Sequence, residues 1–106
     1  HQFTRVGKMA IIGGCSKVVQ DIPPFSTCDG KPARVFGLNL IGIRRAGVSL
    51  KAQRELKKAF KILFHSGMVL KNGTEKVKKE IGPVDEVEYL LNFLKNSERG
   101  ISRGGK

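Results

Sequence analysis

The deciding stretch runs from residue 6 to residue 23: Val6-Gly7-Lys8-Met9-Ala10-Ile11, Ile12-Gly13-Gly14-Cys15-Ser16-Lys17, Val18-Val19-Gln20-Asp21-Ile22-Pro23. An aliphatic residue opens each hexad. Gly follows it in the first two, and a small residue, Ala10 or Ser16, stands four places after the opening. Neither the three-to-four spacing of a helix nor the alternation of one long strand produces this pattern. Short strands with a sharp corner every six residues do. One aliphatic side chain per hexad then points inward, and glycine or a small residue relieves crowding at the corner. Three hexads make one triangular coil of about eighteen residues. A hairpin, or two strands joined by glycine turns, is the ordinary alternative. One coil cannot bury its own faces, because repeat units need stacked neighbours. A real period therefore predicts earlier coils on the N-terminal side. The chain opens at His1, mid-pattern and without Met, which fits the C-terminal part of a longer protein.

Working outward, residues 1–22 are read as the last coil. Residues 23–38 change character: Pro23-Pro24, Asp29-Gly30, Pro32 and Gly37 interrupt regular structure. They are expected to form a connecting loop, with short strands at Phe25–Cys28 and Ala33–Phe36. Residues 39–106 read as helical. Asn39 is placed to cap a short helix through Arg45, stopped by Gly47. Ser49 caps a second helix to about Ser66, closed by Gly67, with Leu56, Ala59, Phe60 and Leu63 on one face. A third is expected to start at Thr74 and end before Gly82-Pro83. Val84, Val87, Leu90, Leu91 and Leu94 make the apolar face of a fourth. The tail from Ser97 to Lys106 is expected to be loose.

The 106 residues are 40% hydrophobic and 27% charged, with no Trp. That excludes a disordered or collagen-like chain and permits a modest core. No apolar run approaches the roughly 18–20 residues of a membrane span, so a soluble protein of the cytoplasm, without membrane insertion, is expected. Twenty Lys and Arg against nine Asp and Glu give a net charge of +11. Such a surface favours polyanions, whether nucleic acid, phosphorylated ligand or acidic protein. Cys15 and Cys28 lack metal-site spacing and suggest no disulfide framework. No metal and no cofactor are expected.

Several motifs occur together in one order. They are His1-Gln2-Phe3 with Val6-Gly7, then Ile12-Gly13-Gly14, then Val19-Gln20-Asp21-Ile22-Pro23-Pro24. Gly37-Leu38-Asn39 and Gly42-Ile43-Arg44-Arg45 follow, with Lys61-Ile62-Leu63-Phe64 before Ser66-Gly67, and Phe93-Leu94 before Arg99-Gly100-Ile101. Across essentially the whole chain this resembles the C-terminal part of the UDP-N-acetylglucosamine O-acyltransferases that begin lipid A synthesis. Hexads alone are shared by many acyltransferases; Gln-Asp-Ile-Pro-Pro followed by Gly-Leu-Asn and Arg-Arg is far more specific. The resemblance implies the last coil of a left-handed parallel β-helix followed by a small all-α domain, in a homotrimer. It implies transfer of a 3-hydroxyacyl group from acyl carrier protein to the 3-hydroxyl of UDP-N-acetylglucosamine, in clefts between subunits. It places the general-base His upstream of this chain, so no catalytic residue is expected here. An alcohol is a poor nucleophile until an imidazole takes its proton during attack on the thioester.

By the same resemblance His1 and Gln2 lie beside the nucleotide-sugar pocket, where the Gln2 amide can both donate and accept. Asn39 falls on the uridine, although Asn is also an ordinary helix cap. Arg45, favoured over Arg44, suits diphosphate oxygens through two parallel hydrogen bonds, although a cation near a helix C-terminus needs no ligand. Gly14 falls where the acyl chain runs outside the coils. Gly13, by contrast, has reason enough in the room its corner needs. Ile41 departs from the family pattern, which carries an acid there, and Ile accepts no hydrogen bond. Lys51, Arg54, Lys57, Lys58 and Lys61 crowd the second helix. A solvated basic face is the commonest reading of such a run; an acidic carrier protein meeting Lys57 and Lys58 is the other.

Three other readings stand beside this one. A nucleic-acid-binding module is suggested only by charge and lacks aromatic stacking platforms, so no nucleic acid is expected. The others are a different nucleotide-sugar acyltransferase built on the same coils and a non-catalytic trimer module.

Overall fold

The computed structural model describes residues 5–14, 16–18, 20–82, 84–97 and 100–102. The hexad region folds by pairing with chain 16 residues further on. Val6 bridges in parallel to Ile22. Strand β1 (Ile11–Ile12) runs parallel to β2 (Ser26–Asp29), with Ile11 opposite Thr27 and Ile12 opposite Cys28. Backbone bonds fill the intervals: Gly7 N–H to Ile22 O and Phe25 N–H to Lys8 O are both 2.8 Å. Residues 22–29, of which 23–29 are expected within the connecting loop, therefore stack as a further rung. Two left-handed corners lie one above the other, at Met9 (φ 59°) and Phe25 (φ 65°). Pro23 and Pro24 are fully buried inside the turn instead of ending it.

β2 turns back antiparallel into β3 (Arg34–Leu38), giving a three-stranded sheet in the order β1-β2-β3. Of the residues expected to point inward, Ile12 and Val18 are half-buried against the core. Val6 is 53% exposed, because among the described residues only one rung stacks against its own.

Four helices follow: α1 (Leu40–Arg45), α2 (Leu50–His65), α3 (Leu70–Glu80) and α4 (Asp85–Lys95). α1 and α2 start at the expected caps: Asn39 Oδ1 accepts from Gly42 N–H at 3.1 Å, and Ser49 Oγ from Ala52 N–H at 3.1 Å. α3 begins four residues before the expected Thr74. The Thr74 hydroxyl donates back to Leu70 O at 2.9 Å, a mid-helix bond and not a cap. α2 is central: Leu56, Ala59, Phe60 and Leu63 are buried against α3, α4 and β3. They share one core with Ile22, Phe25 and Val35 from the rungs and with Val77, Leu90 and Phe93.

The expected loose tail is corrected for residues 100–102. Asp21 N–H donates to Gly100 O (2.8 Å), Ser102 N–H donates to Asp21 O (2.9 Å), and Ile101 bridges in parallel to Asp21. The fully buried Asp21 carboxylate accepts from Arg5 N–H at 2.7 Å and from the Ser97 hydroxyl at 2.6 Å. One side chain thus ties the first described rung, the end of α4 and the tail.

Candidate functional site

β3 delivers the chain straight into Asn39, whose groups are claimed from three sides. Its backbone N–H donates to Phe25 O at 2.7 Å, Oδ1 caps α1, and Nδ2 donates to Met9 O at 2.9 Å. Asn39 therefore fixes α1 on the two stacked corners, and it is only 6% exposed. Both polar atoms of its amide are thus engaged within the fold.

Arg45 closes α1, a helix of six residues spanning about 9 Å. It is exposed, and among the described residues its guanidinium has no ion-pair partner. Arg44 faces differently. With Leu40, Leu50, Gln53, Arg54 and Lys57 it lines a shallow cleft of about 110 Å³ between α1 and α2. Ile41 is 64% exposed. The structure thus sets Asn39 and Arg45 at opposite ends of one short helix. His1 and Gln2 lie outside the described residues.

Gly14 follows β1 on the exposed side of the rungs, and a side chain there would meet nothing within 4 Å. Gly13 differs. A Cβ on it would stand 2.5 Å from Asp29 Oδ1, a carboxylate already held by Gly30 N–H at 2.8 Å and by the Ser16 hydroxyl at 3.0 Å. The room at Gly13 is occupied; the room at Gly14 is free.

On α2, Lys51, Arg54, Lys57, Lys58 and Lys61 are all exposed. Lys58 pairs with Glu55 at 3.4 Å, whereas Lys57 has no ion pair among the described residues. The cationic cleft was not legible beforehand in full. Arg54 and Lys57 share a face by their spacing, but Arg44 arrives from another helix. Cys28 is buried beside Ser26, and burial pushes its thiol above the ordinary value, opposed by the Ser26 hydroxyl. No cluster of three or more His, Cys, Asp or Glu able to hold a metal occurs among the described residues. No described helix is long and apolar enough to cross a membrane.

The family model described as UDP-N-acetylglucosamine O-acyltransferase, domain 2, matches residues 21–102. The chain belongs to this family. An acyl-[acyl-carrier-protein]–UDP-N-acetylglucosamine O-acyltransferase of Anaeromyxobacter sp. is 40% identical over 103 residues, which are 97% of this chain and 40% of the relative. The one from Thiobacillus denitrificans is 44% identical over 103 residues, again 97% of this chain and 40% of the relative. Among solved structures, the UDP-N-acetylglucosamine acyltransferase of Bacteroides fragilis superposes with a TM-score of 0.93 at 38% identity, covering 97% of this chain and 40% of that one. The Arabidopsis UDP-N-acetylglucosamine acyltransferase gives 0.88 at 30% identity, covering 97% and 39%. The chain thus spans about 40% of the length of these UDP-N-acetylglucosamine O-acyltransferases.

Proposed function

We propose that this chain is the substrate-gripping end of an acyl carrier protein-dependent UDP-N-acetylglucosamine O-acyltransferase, working as a cytoplasmic homotrimer. Its rungs then continue a left-handed parallel β-helix, with residues 39–106 as the helical domain. The single observation that carries this reading is the passage from stacked rungs through Asn39 into α1. That passage lies within residues 21–102, the stretch the family model matches.

The reaction moves a 3-hydroxyacyl group from the carrier thioester to the sugar 3-hydroxyl. The thioester C–S bond breaks, an ester C–O bond forms, and the hydroxyl proton passes through a histidine outside this chain to the departing thiolate. This chain's residues bind and orient. Arg45, charged and without an ion pair among the described residues, takes the diphosphate through a bidentate fork. Asn39 holds α1 in place at the uridine. His1 and Gln2 contact the sugar. Ile41 leaves the nucleotide one acceptor short of the usual family set, an absence that Asn39 and Arg45 must make good. Gly14 leaves the outer surface of the coil open along the acyl chain. Lys57 and Lys58 meet the acidic carrier, Lys57 with the freer charge. Such rim charges act chiefly on encounter rate.

The test is a chimaera in which this chain replaces the matching C-terminal 40% of the Bacteroides fragilis enzyme. With 3-hydroxyacyl carrier protein and UDP-N-acetylglucosamine it is expected to turn over, while the 106-residue chain alone is expected to show none. A folded chimaera without turnover would refute the reading, and turnover by the chain alone would refute the absence of its base.

A further inference from the structure

Of the residues of α1, Ile43 is buried, Leu40 and Gly42 are half-buried, and only Ile41, Arg44 and Arg45 are exposed. Arg44 lines the cleft shared with α2. Ile41 and Arg45, four residues apart, therefore lie on one open face of the helix, their Cβ atoms about 5–6 Å apart. The Asn39 amide closes over the first turn, so near Gly42 that a Cβ there would run into it. A ligand reaching from Asn39 to Arg45 along the open face thus crosses Ile41.

A single exposed isoleucine needs no explanation; its position gives this one a consequence. A nucleoside diphosphate carries base, pentose and diphosphate in that order. With the uridine at Asn39 and the diphosphate on Arg45, the function proposed above lays the pentose over Ile41, and the inference rests on that reading. The branched side chain of Ile41 can fill space against the ring carbons of a pentose. It neither donates nor accepts a hydrogen bond. Rejecting a ligand that lacks a hydroxyl requires a polar group left unpaired by the loss, whereas an apolar contact discriminates weakly.

We propose that Ile41 packs against the pentose and leaves its 2′-hydroxyl unread, so that the enzyme containing this chain accepts 2′-deoxyuridine diphosphate sugars alongside uridine diphosphate sugars. Ile41 is then a specificity-determining residue that acts by what it does not bond.

The experiment gives the chimaera UDP-N-acetylglucosamine and its 2′-deoxyuridine counterpart as competing acceptors; the ratio of acylated products reads the ratio of kcat/KM. A ratio within about threefold of unity is expected. Ile41→Gln places an amide beside the pentose and, at an exposed position, suits the helix as well as isoleucine does. It is expected to favour the ribose sugar about fivefold more than the parent does, through one added hydrogen bond. Ile41→Ala removes the apolar contact and adds no polar group. It is expected to raise both KM values together, roughly two- to fivefold, with the product ratio unmoved. A tenfold or greater preference for the ribose sugar in the parent, an unchanged ratio in Ile41→Gln, or a changed ratio in Ile41→Ala would each overturn the proposal. Turnover of neither sugar by the folded chimaera would overturn the function proposed above together with this inference; turnover of the ribose sugar alone would overturn only the inference.

Discussion

In residues 5–38 backbone lies on backbone: Gly7 N–H reaches Ile22 O, Gly13 N–H reaches Cys28 O, and Lys17 N–H reaches Gly30 O, all within 2.9 Å. In residues 40–95 side chain lies on side chain, with Leu56, Phe60, Leu90 and Phe93 buried between helices. The difference teaches how each region fails. Where the rungs face one another, at Gly7 and Gly13, there is no room for one extra carbon, whereas packed helices cannot lose several. It also separates the candidate contacts. The rungs offer an open outer wall at Gly14; the helices offer charges at their exposed ends, Arg45 and Lys57. Asp21, through Ser97, and Asn39, through the cap of α1, are buried polar side chains that tie the rungs to the helical part, and Arg5 and Lys8 reach Phe93 and Tyr89 beside them.

Removing carbon from the helical side is expected to have the largest effect. Leu56→Ala should cost about 2–5 kcal/mol, read as a lowered urea midpoint of the 106-residue chain; a shift inside error would mean α2 is not the centre of the core. On the rung side the sign of the change in volume reverses. Gly7→Ala drives a Cβ into the ring and backbone of Pro24 and should cost about 1–3 kcal/mol. Alanine tolerated at residue 7 would show that the rungs are looser than their backbone bonds indicate.

Arg45→Ala in the chimaera is expected to leave the fold intact and raise the nucleotide-sugar KM roughly ten- to a hundredfold, through loss of a charge-assisted contact. An unchanged KM would reduce Arg45 to a helix-end charge. The smallest effect lies at Cys28. Its thiol is pushed up in the folded chain by burial, so the unfolded chain loses that proton first as pH rises. Stability should be fully present below the ordinary thiol range and fall as pH climbs through the raised folded value. The slope in a Cys15→Ser background, compared with a Cys15→Ser, Cys28→Ala double variant, isolates it; identical slopes would contradict the buried-thiol account.

Helix starts at Asn39 and Ser49 were legible because a cap is a local bargain between one side chain and the next three backbone N–H groups. The start of α3 was not. Val69 caps it without a side-chain bond, and Gly73 lies in its first turn. In the fold Gly73 is buried, where a Cβ would sit 3.5 Å from Ile62 O and from Leu63; its smallness serves helix packing. Residues 23–29 were misread in the same way. Pro23-Pro24 and Asp29-Gly30 look like punctuation, yet the missing N–H of each proline matters little at a corner, and Ile22 and Cys28 still pair. For the candidate site, Asn39, Arg45 and Gly14 came from motifs and hexad position. The Arg44–Arg54–Lys57 cleft could not in full, because its residues come from two helices that meet only after folding.

The central claim is that the open outer wall at Gly14 takes the acyl chain, while Asn39 and Arg45, at the two ends of α1, take the nucleotide. Gly14→Met in the chimaera, given a mixture of long and short 3-hydroxyacyl carrier proteins, tests it most directly. Each methylene kept from contact costs the longer donor about 0.8 kcal/mol. The account predicts a strong shift toward the short donor with the KM for UDP-N-acetylglucosamine unchanged. An unaltered product ratio, or a rise in that KM in its place, would contradict it.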